Sequence, residues 1–169
     1  APLKMIIRKI KTEDNAAMAK IIRDSLWEFG AAKPGTVYFD ESTDHLNEIF
    51  IEKRSVYFII ENDGEIAGGS GIFPTEGLPS NTCELVKMYI DKSFRGNGYG
   101  QTLLKKCIEE AKKLGYAKMY LESMPELTNA IAMYVKNGFT HIPGPLGNSG
   151  HTGCNIWMIK ILEESEASF

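Results

Sequence analysis

Cysteine and histidine are scarce in this chain, with three of each in 169 residues. Cys83, Cys107 and Cys154 are odd in number, far apart and never in a Cys-x-x-Cys pair. That usage excludes a disulfide framework and a structural zinc site, and fits a reducing compartment. His45, His141 and His151 show no metal-ligand spacing, so no metal is expected. No apolar run is long enough to span a bilayer, and the first residues form no signal-peptide core. The chain is therefore expected to be cytoplasmic, without a membrane partner. Charge of one sign is also missing: 19 Lys and Arg against 22 Asp and Glu leave a net charge of −3. Such a balance gives no whole-chain reason to bind nucleic acid.

The stretch Arg95-Gly96-Asn97-Gly98-Tyr99-Gly100-Gln101 lacks what two familiar phosphate loops require. A dinucleotide fingerprint needs glycine at 101, where glutamine stands, and a Walker A loop ends in Gly-Lys-Ser or Gly-Lys-Thr. What remains is Arg-x-x-Gly-x-Gly between an apolar strand-like run and an amphipathic helix. Unpaired amides, the positive end of the helix dipole and the Arg95 side chain together suit a phosphate. Gly98 and Gly100 are expected to take positive φ and let a ligand approach the backbone. The alternative is a tight turn whose glycines serve packing alone.

The 43% hydrophobic and 24% charged content is that of one ordinary globular domain, spanning 1–169, with no repeat or linker. Apolar patterning predicts strands over 3–11, 55–61, 65–73, 82–90, 117–122, 139–142 and 155–162. It predicts helices over 13–29, 44–52, 98–114 and 125–136. Asp63-Gly64 signals a type I′ hairpin. Residues 143–151 read as a loop and 163–169 as a frayed tail. This order makes a mixed α/β (α+β) domain.

With Arg95 to Gln101 after the fourth strand, the order of elements resembles the N-acetyltransferase superfamily known as GNAT. A second match is Asn129-Ala130-Ile131-Ala132-Met133-Tyr134-Val135-Lys136-Asn137-Gly138-Phe139, which is similar to that family's second cofactor segment. Gly144-Pro145-Leu146-Gly147-Asn148-Ser149-Gly150-His151, followed by Trp157-Met158, resembles a bacterial subgroup. The resemblance implies a mostly antiparallel twisted sheet of six to seven strands with about four helices. It also implies acetyl-coenzyme A as donor and a primary amine as acceptor. Arg95, Gly96, Asn97, Gly98, Tyr99, Gly100 and Gln101 would then wrap the pyrophosphate, and the main chain of Met88, Tyr89 and Ile90 would pair with the pantetheine arm. Asn129 would contact the cofactor near its thiol end, with Tyr134 at the sulfur. A homodimer through the C-terminal strands is compatible with the family. Lys92 stands where the family often has proline.

An amine must lose its proton before it attacks a thioester, which for a pKa of about 10.4 costs roughly 4.6 kcal/mol at pH 7. Glu84 is the candidate base; the alternative is a solvated carboxylate at a strand edge. Strand alternation places Glu84, Val86, Met88 and Ile90 on one face. Tyr134 is the candidate acid for the leaving thiolate, or else a core residue of an apolar helical stripe. Lys136 either reaches a phosphate or complements the helix dipole. Trp27, Tyr38 and His151 are candidates for acceptor binding; helix packing accounts equally for Trp27, and simple loop exposure for His151. The expected function is transfer of acetyl from acetyl-coenzyme A to a small-molecule amine by direct attack in a ternary complex. The alternatives are a peptide or protein amine as acceptor, or a non-catalytic acyl-coenzyme A binding module.

Overall fold

The computed structural model describes residues 4–162; the expected tail at 163–169 lies outside the described residues. The strands are β1 (Met5–Lys9), β2 (Val56–Asn62), β3 (Glu65–Phe73), β4 (Thr82–Ile90), β5 (Lys118–Ser123), β6 (Thr140–Ile142) and β7 (Ile156–Ile161). The helices are α1 (Asn15–Glu28), α2 (Leu46–Ile49), α3 (Tyr99–Lys113) and α4 (Thr128–Lys136). One sheet runs in the order β1-β2-β3-β4-β5-β7-β6. Its neighbours are antiparallel except β4 and β5, which are parallel. This is the mixed, mostly antiparallel fold expected. No described helix is long and apolar enough to cross a membrane.

Local sequence explains the elements. Asp63 (φ 50°) and Gly64 (φ 81°) both adopt left-handed backbone between β2 and β3, as a type I′ turn demands. On α3, Leu103, Leu104, Cys107 and Ala111 are buried, and Lys112 and Lys113 complement its C-terminal dipole. Helix α3 packs with α4 on one face of the sheet, around Leu85, Met119 and Phe139. Helices α1 and α2 cover the other face, around Tyr57, Ile59 and Met124. At the β1 edge, Arg8 grips buried Asp14 through two bonds of 2.7 and 2.9 Å and reaches Glu61 at 3.0 Å.

Two local readings change. The helix expected over 44–52 is a 3₁₀ turn, Glu41–His45, followed by the single turn of α2. Asp40 starts that turn by accepting from the Ser42 amide, a capping geometry that competes with a longer helix. The second change is in β4. Gly69 pairs with Tyr89 and Gly71 with Val86, so β4 carries one residue more than β3. The extra residue sits at Lys87, whose φ is 53°. A bulge shifts every following side chain to the opposite face. Met88 and Ile90 therefore pack with α3 beside Leu85, and Tyr89 turns toward α1. They do not share a face with Glu84 as alternation suggested.

The parallel ladder is short. It pairs Thr82, Cys83 and Glu84 with Lys118, Met119 and Tyr120 and then ends. Beyond it the two strands part, and that fork positions everything below.

Candidate active site

The fork holds a cavity of about 350 Å³. Met88, Tyr89 and Ile90 form one wall, residues of α4 including Asn129 form the other, and the start of α3 forms the floor. Gly98 caps α3 at φ 77° and Gly96 precedes it at φ 82°. A Cβ on either would meet nothing within 4 Å, so the space above both is open. The amides of Gly96, Asn97, Gly98, Tyr99, Gly100 and Gln101 donate to no acceptor among the described residues. With the dipole of a four-turn helix behind them, they form a main-chain cradle that fits a diphosphate. Gly100 departs from expectation. It is helical rather than left-handed, and a Cβ there would stand 3.5 Å from the Met133 sulfur. That is an ordinary van der Waals distance, so neither backbone conformation nor packing demands glycine at 100.

The side chains of the loop are largely engaged elsewhere. Arg95 donates from Nη1 to Glu28 at 2.6 Å, from Nη2 to Ser25 at 3.2 Å and from Nε to the Ile90 carbonyl at 3.0 Å. Its guanidinium also lies 4.8 Å from the Phe29 ring centroid. Arg95 straps the loop to α1. Gln101 and Asn137 exchange two bonds of 2.8 Å that lock the start of α3 to the end of α4. Asn97 donates to the Phe94 carbonyl, and the Tyr99 hydroxyl accepts from Asn62. Asn97 and Lys136 do not line the cavity; Lys136 is exposed on α4.

A smaller cavity, about 50 Å³, shares Tyr89 and Leu127 with the first. Glu84, Lys87, Glu122, His151 and Cys154 meet there. Glu84 is 4% exposed and accepts from the Thr75 hydroxyl at 2.5 Å. Burial pushes its carboxyl up to about 7, and the charge of Glu122 adds to the effect. Glu122 accepts from the Tyr120 and Ser149 hydroxyls. Tyr120 in turn accepts from the Leu146 amide at 3.1 Å. His151 Nε2 lies 3.1 Å from Asp40 Oδ2. Burial opposes ionisation of Asp40, but donors from Ser42 and His151 bring its carboxyl below the usual range. Burial holds the Cys154 thiol up at about 12, so it is protonated at neutral pH.

Asp40, Lys87, Tyr120, Glu122 and Ser149 were not singled out from the sequence. The period of two on β5 puts Tyr120 and Glu122 on one face and could have flagged that pair. Asp40 and Ser149 arrive on loops and carry no such signal. Lys87 was hidden by the bulge.

Tyr134 is 7% exposed, with its ring edge-on to Phe139 at 5.7 Å between centroids. Its hydroxyl makes no hydrogen bond among the described residues, and burial holds the phenol well above its ordinary pKa. It does not line either cavity. The structure brings His151 to Glu84. It leaves Trp27, 73% exposed on the outer face of α1, beside a separate groove with Asp91 and Lys92. Tyr38 packs edge-on to Phe39 and lines neither cavity.

The model of the acetyltransferase (GNAT) family matches residues 19–139. The chain is 36% identical over 163 residues to an uncharacterized N-acetyltransferase, YjgM, of Escherichia coli K12, covering 96% of this chain and 98% of that one. Among solved structures, it superposes on a GNAT-family acetyltransferase from Staphylococcus aureus Mu50 with a TM-score of 0.83 at 20% identity, covering 95% and 100% of the two chains. A PaiA N-acetyltransferase from Thermoplasma acidophilum, in complex with coenzyme A, gives a TM-score of 0.73 at 20% identity, covering 94% and 99%.

Proposed function

The chain belongs to the acetyltransferase (GNAT) family and is an acyltransferase drawing on acetyl-coenzyme A, and from that premise we propose that it acetylates a primary amine of a small molecule by direct attack in a ternary complex. The observation that carries this reading is Glu84, a carboxyl buried in the wall of the smaller cavity with its pKa raised to about 7. A base is most effective when its pKa lies near the working pH. An ordinary surface glutamate would be too weak a base to take a proton from an ammonium. The small cavity beside Glu84, lined by both charged and apolar side chains, supports a small acceptor head group.

When bound, acetyl-coenzyme A supplies the activated acyl group. The free amides at the start of α3 would hold its diphosphate, and the open edge of β4 at Met88, Tyr89 and Ile90 would pair with the pantetheine arm. Asn129, on the rim of the cavity, would face the same arm. Glu84 would take the proton from the attacking amine, and Tyr134 would deliver one to the departing thiolate. His151, held by Asp40, would border the acceptor. The three free thiols support a cytoplasmic enzyme, and the resemblance of residues 144–151 supports a bacterial subgroup. The test is thiol release from acetyl-coenzyme A across a panel of small amines and peptide N-termini. Turnover of small amines is expected; turnover confined to peptides would overturn the reading.

A further inference from the structure

In and around the smaller cavity the carboxylates have donors, and the cation has no acceptor among the described residues. Asp40 accepts from Ser42 and His151, Glu122 from Tyr120 and Ser149, and Glu84 from Thr75. Lys87 lines the same space with Asp40 and Glu84 as charged neighbours, yet it donates a hydrogen bond to neither, nor to any other described residue. Its position is not incidental. The bulge holds Lys87 at φ 53°, a backbone state that a lysine rarely adopts, and the Tyr57 hydroxyl fixes it by donating to the Lys87 carbonyl at 2.7 Å. Regular alternation would have sent residue 87 into the opposite face. A strained bulge that re-aims one charged side chain into a cavity is the arrangement found where that side chain meets a ligand.

We propose that Lys87 binds an anionic group carried by the acceptor itself, so that the substrate is an amine bearing a carboxylate, of the amino-acid type. This rests on the small-molecule reading given above and specifies its substrate class. Lys87 is half-buried and its ammonium has no acceptor among the described residues, so a ligand carboxylate would supply a charge-assisted hydrogen bond at that point. The open polar functions of the cavity are then complementary to one zwitterionic head group: the amine meets Glu84 and the carboxylate meets Lys87. The small volume, about 50 Å³, favours groups borne on a single carbon. It also favours a planar carboxylate over a bulkier phosphate.

The experiment compares matched pairs, each an amino acid and the amine left by removing its carboxylate, as acceptors for the full chain with acetyl-coenzyme A. The wild type is expected to prefer the carboxylate-bearing member at least tenfold in kcat/KM for one or more pairs. Lys87→Met should abolish that preference and Lys87→Arg should retain it, with coenzyme A binding by calorimetry as the check of folding. Equal turnover of both members, or a preference that survives Lys87→Met, overturns this assignment alone. No turnover of any pair by a protein that still binds coenzyme A overturns the small-molecule reading and this assignment with it.

Discussion

Glu84 stands opposite Tyr120 on the last rung of the β4–β5 ladder, so the buried carboxyl sits where paired sheet gives way to open fork. Its acidity therefore answers to two surroundings: apolar packing behind it and the Glu122 charge beside it. Below a pH of about 7 it holds its proton and cannot act as a base. Turnover at saturating amine should rise with pH to a plateau above 7. Glu84→Gln should flatten that limb and lower turnover by about 10²-fold or more. A pH–rate profile of both proteins measures this directly.

The same shift has a consequence for folding, with the sign opposite to that of an ordinary ion-paired carboxylate. The folded pKa of about 7 exceeds the reference value of 4.5, so the folded state binds the proton more tightly than the unfolded one. The stability this contributes is complete below 4.5 and is lost as pH rises through 7. Glu84→Gln should gain thermal stability relative to wild type at pH 8 and lose that advantage near pH 4, as scanning calorimetry would record.

Gly98→Val should weaken coenzyme A binding at least tenfold, about 1.4 kcal/mol. A β-branched side chain resists the observed φ of 77° and fills the open space above the loop. Isothermal calorimetry on the folded variant decides; wild-type affinity would mean that the cradle does not hold the diphosphate.

Tyr134→Phe separates chemistry from packing. The hydroxyl makes no hydrogen bond among the described residues and the ring packs on Phe139, so removing one oxygen should change the unfolding free energy by less than about 0.5 kcal/mol. Turnover should fall about 10²-fold with coenzyme A affinity retained. Unchanged turnover would remove the acid role from this residue.

Asp14→Ala should destabilise the fold by about 3 kcal/mol, since it leaves Arg8 without its two shortest bonds. Burial opposes the ionisation of Asp14, but Arg8 and the Lys11 amide outweigh it and bring the folded pKa below 3.8. The stability from this pair is present above 3.8 and disappears as pH falls further. Urea denaturation at pH 7 and pH 3 would show the variant's deficit shrinking in acid.

Much of this architecture is legible in the residues. Asp63-Gly64, the apolar stripe of α3 and Gly98 after β4 each state a local geometry that tertiary contacts leave intact. The sequence marks the loop but not what its arginine touches: Arg95 bonds Glu28 and Ser25, partners 67 and 70 residues away, and sequence spacing cannot show a contact of that range. Strand periodicity failed at Lys87 because a bulge costs one residue and leaves no compositional mark. The smaller cavity is least legible. Its lining comes from the 31–45 loop, two strands and the 143–151 loop, and loop segments carry no period from which a facing can be read.

The two halves of the site are written in different materials. The cradle at the head of α3 is made of peptide groups, so, on the proposed reading, drift in the surrounding side chains would leave donor recognition intact as long as Gly96 and Gly98 persist. The neighbouring chamber is made of side chains delivered by separate segments, and a handful of replacements there would redirect the enzyme to another amine. A lineage built on this plan can change what it modifies while keeping the currency it modifies with.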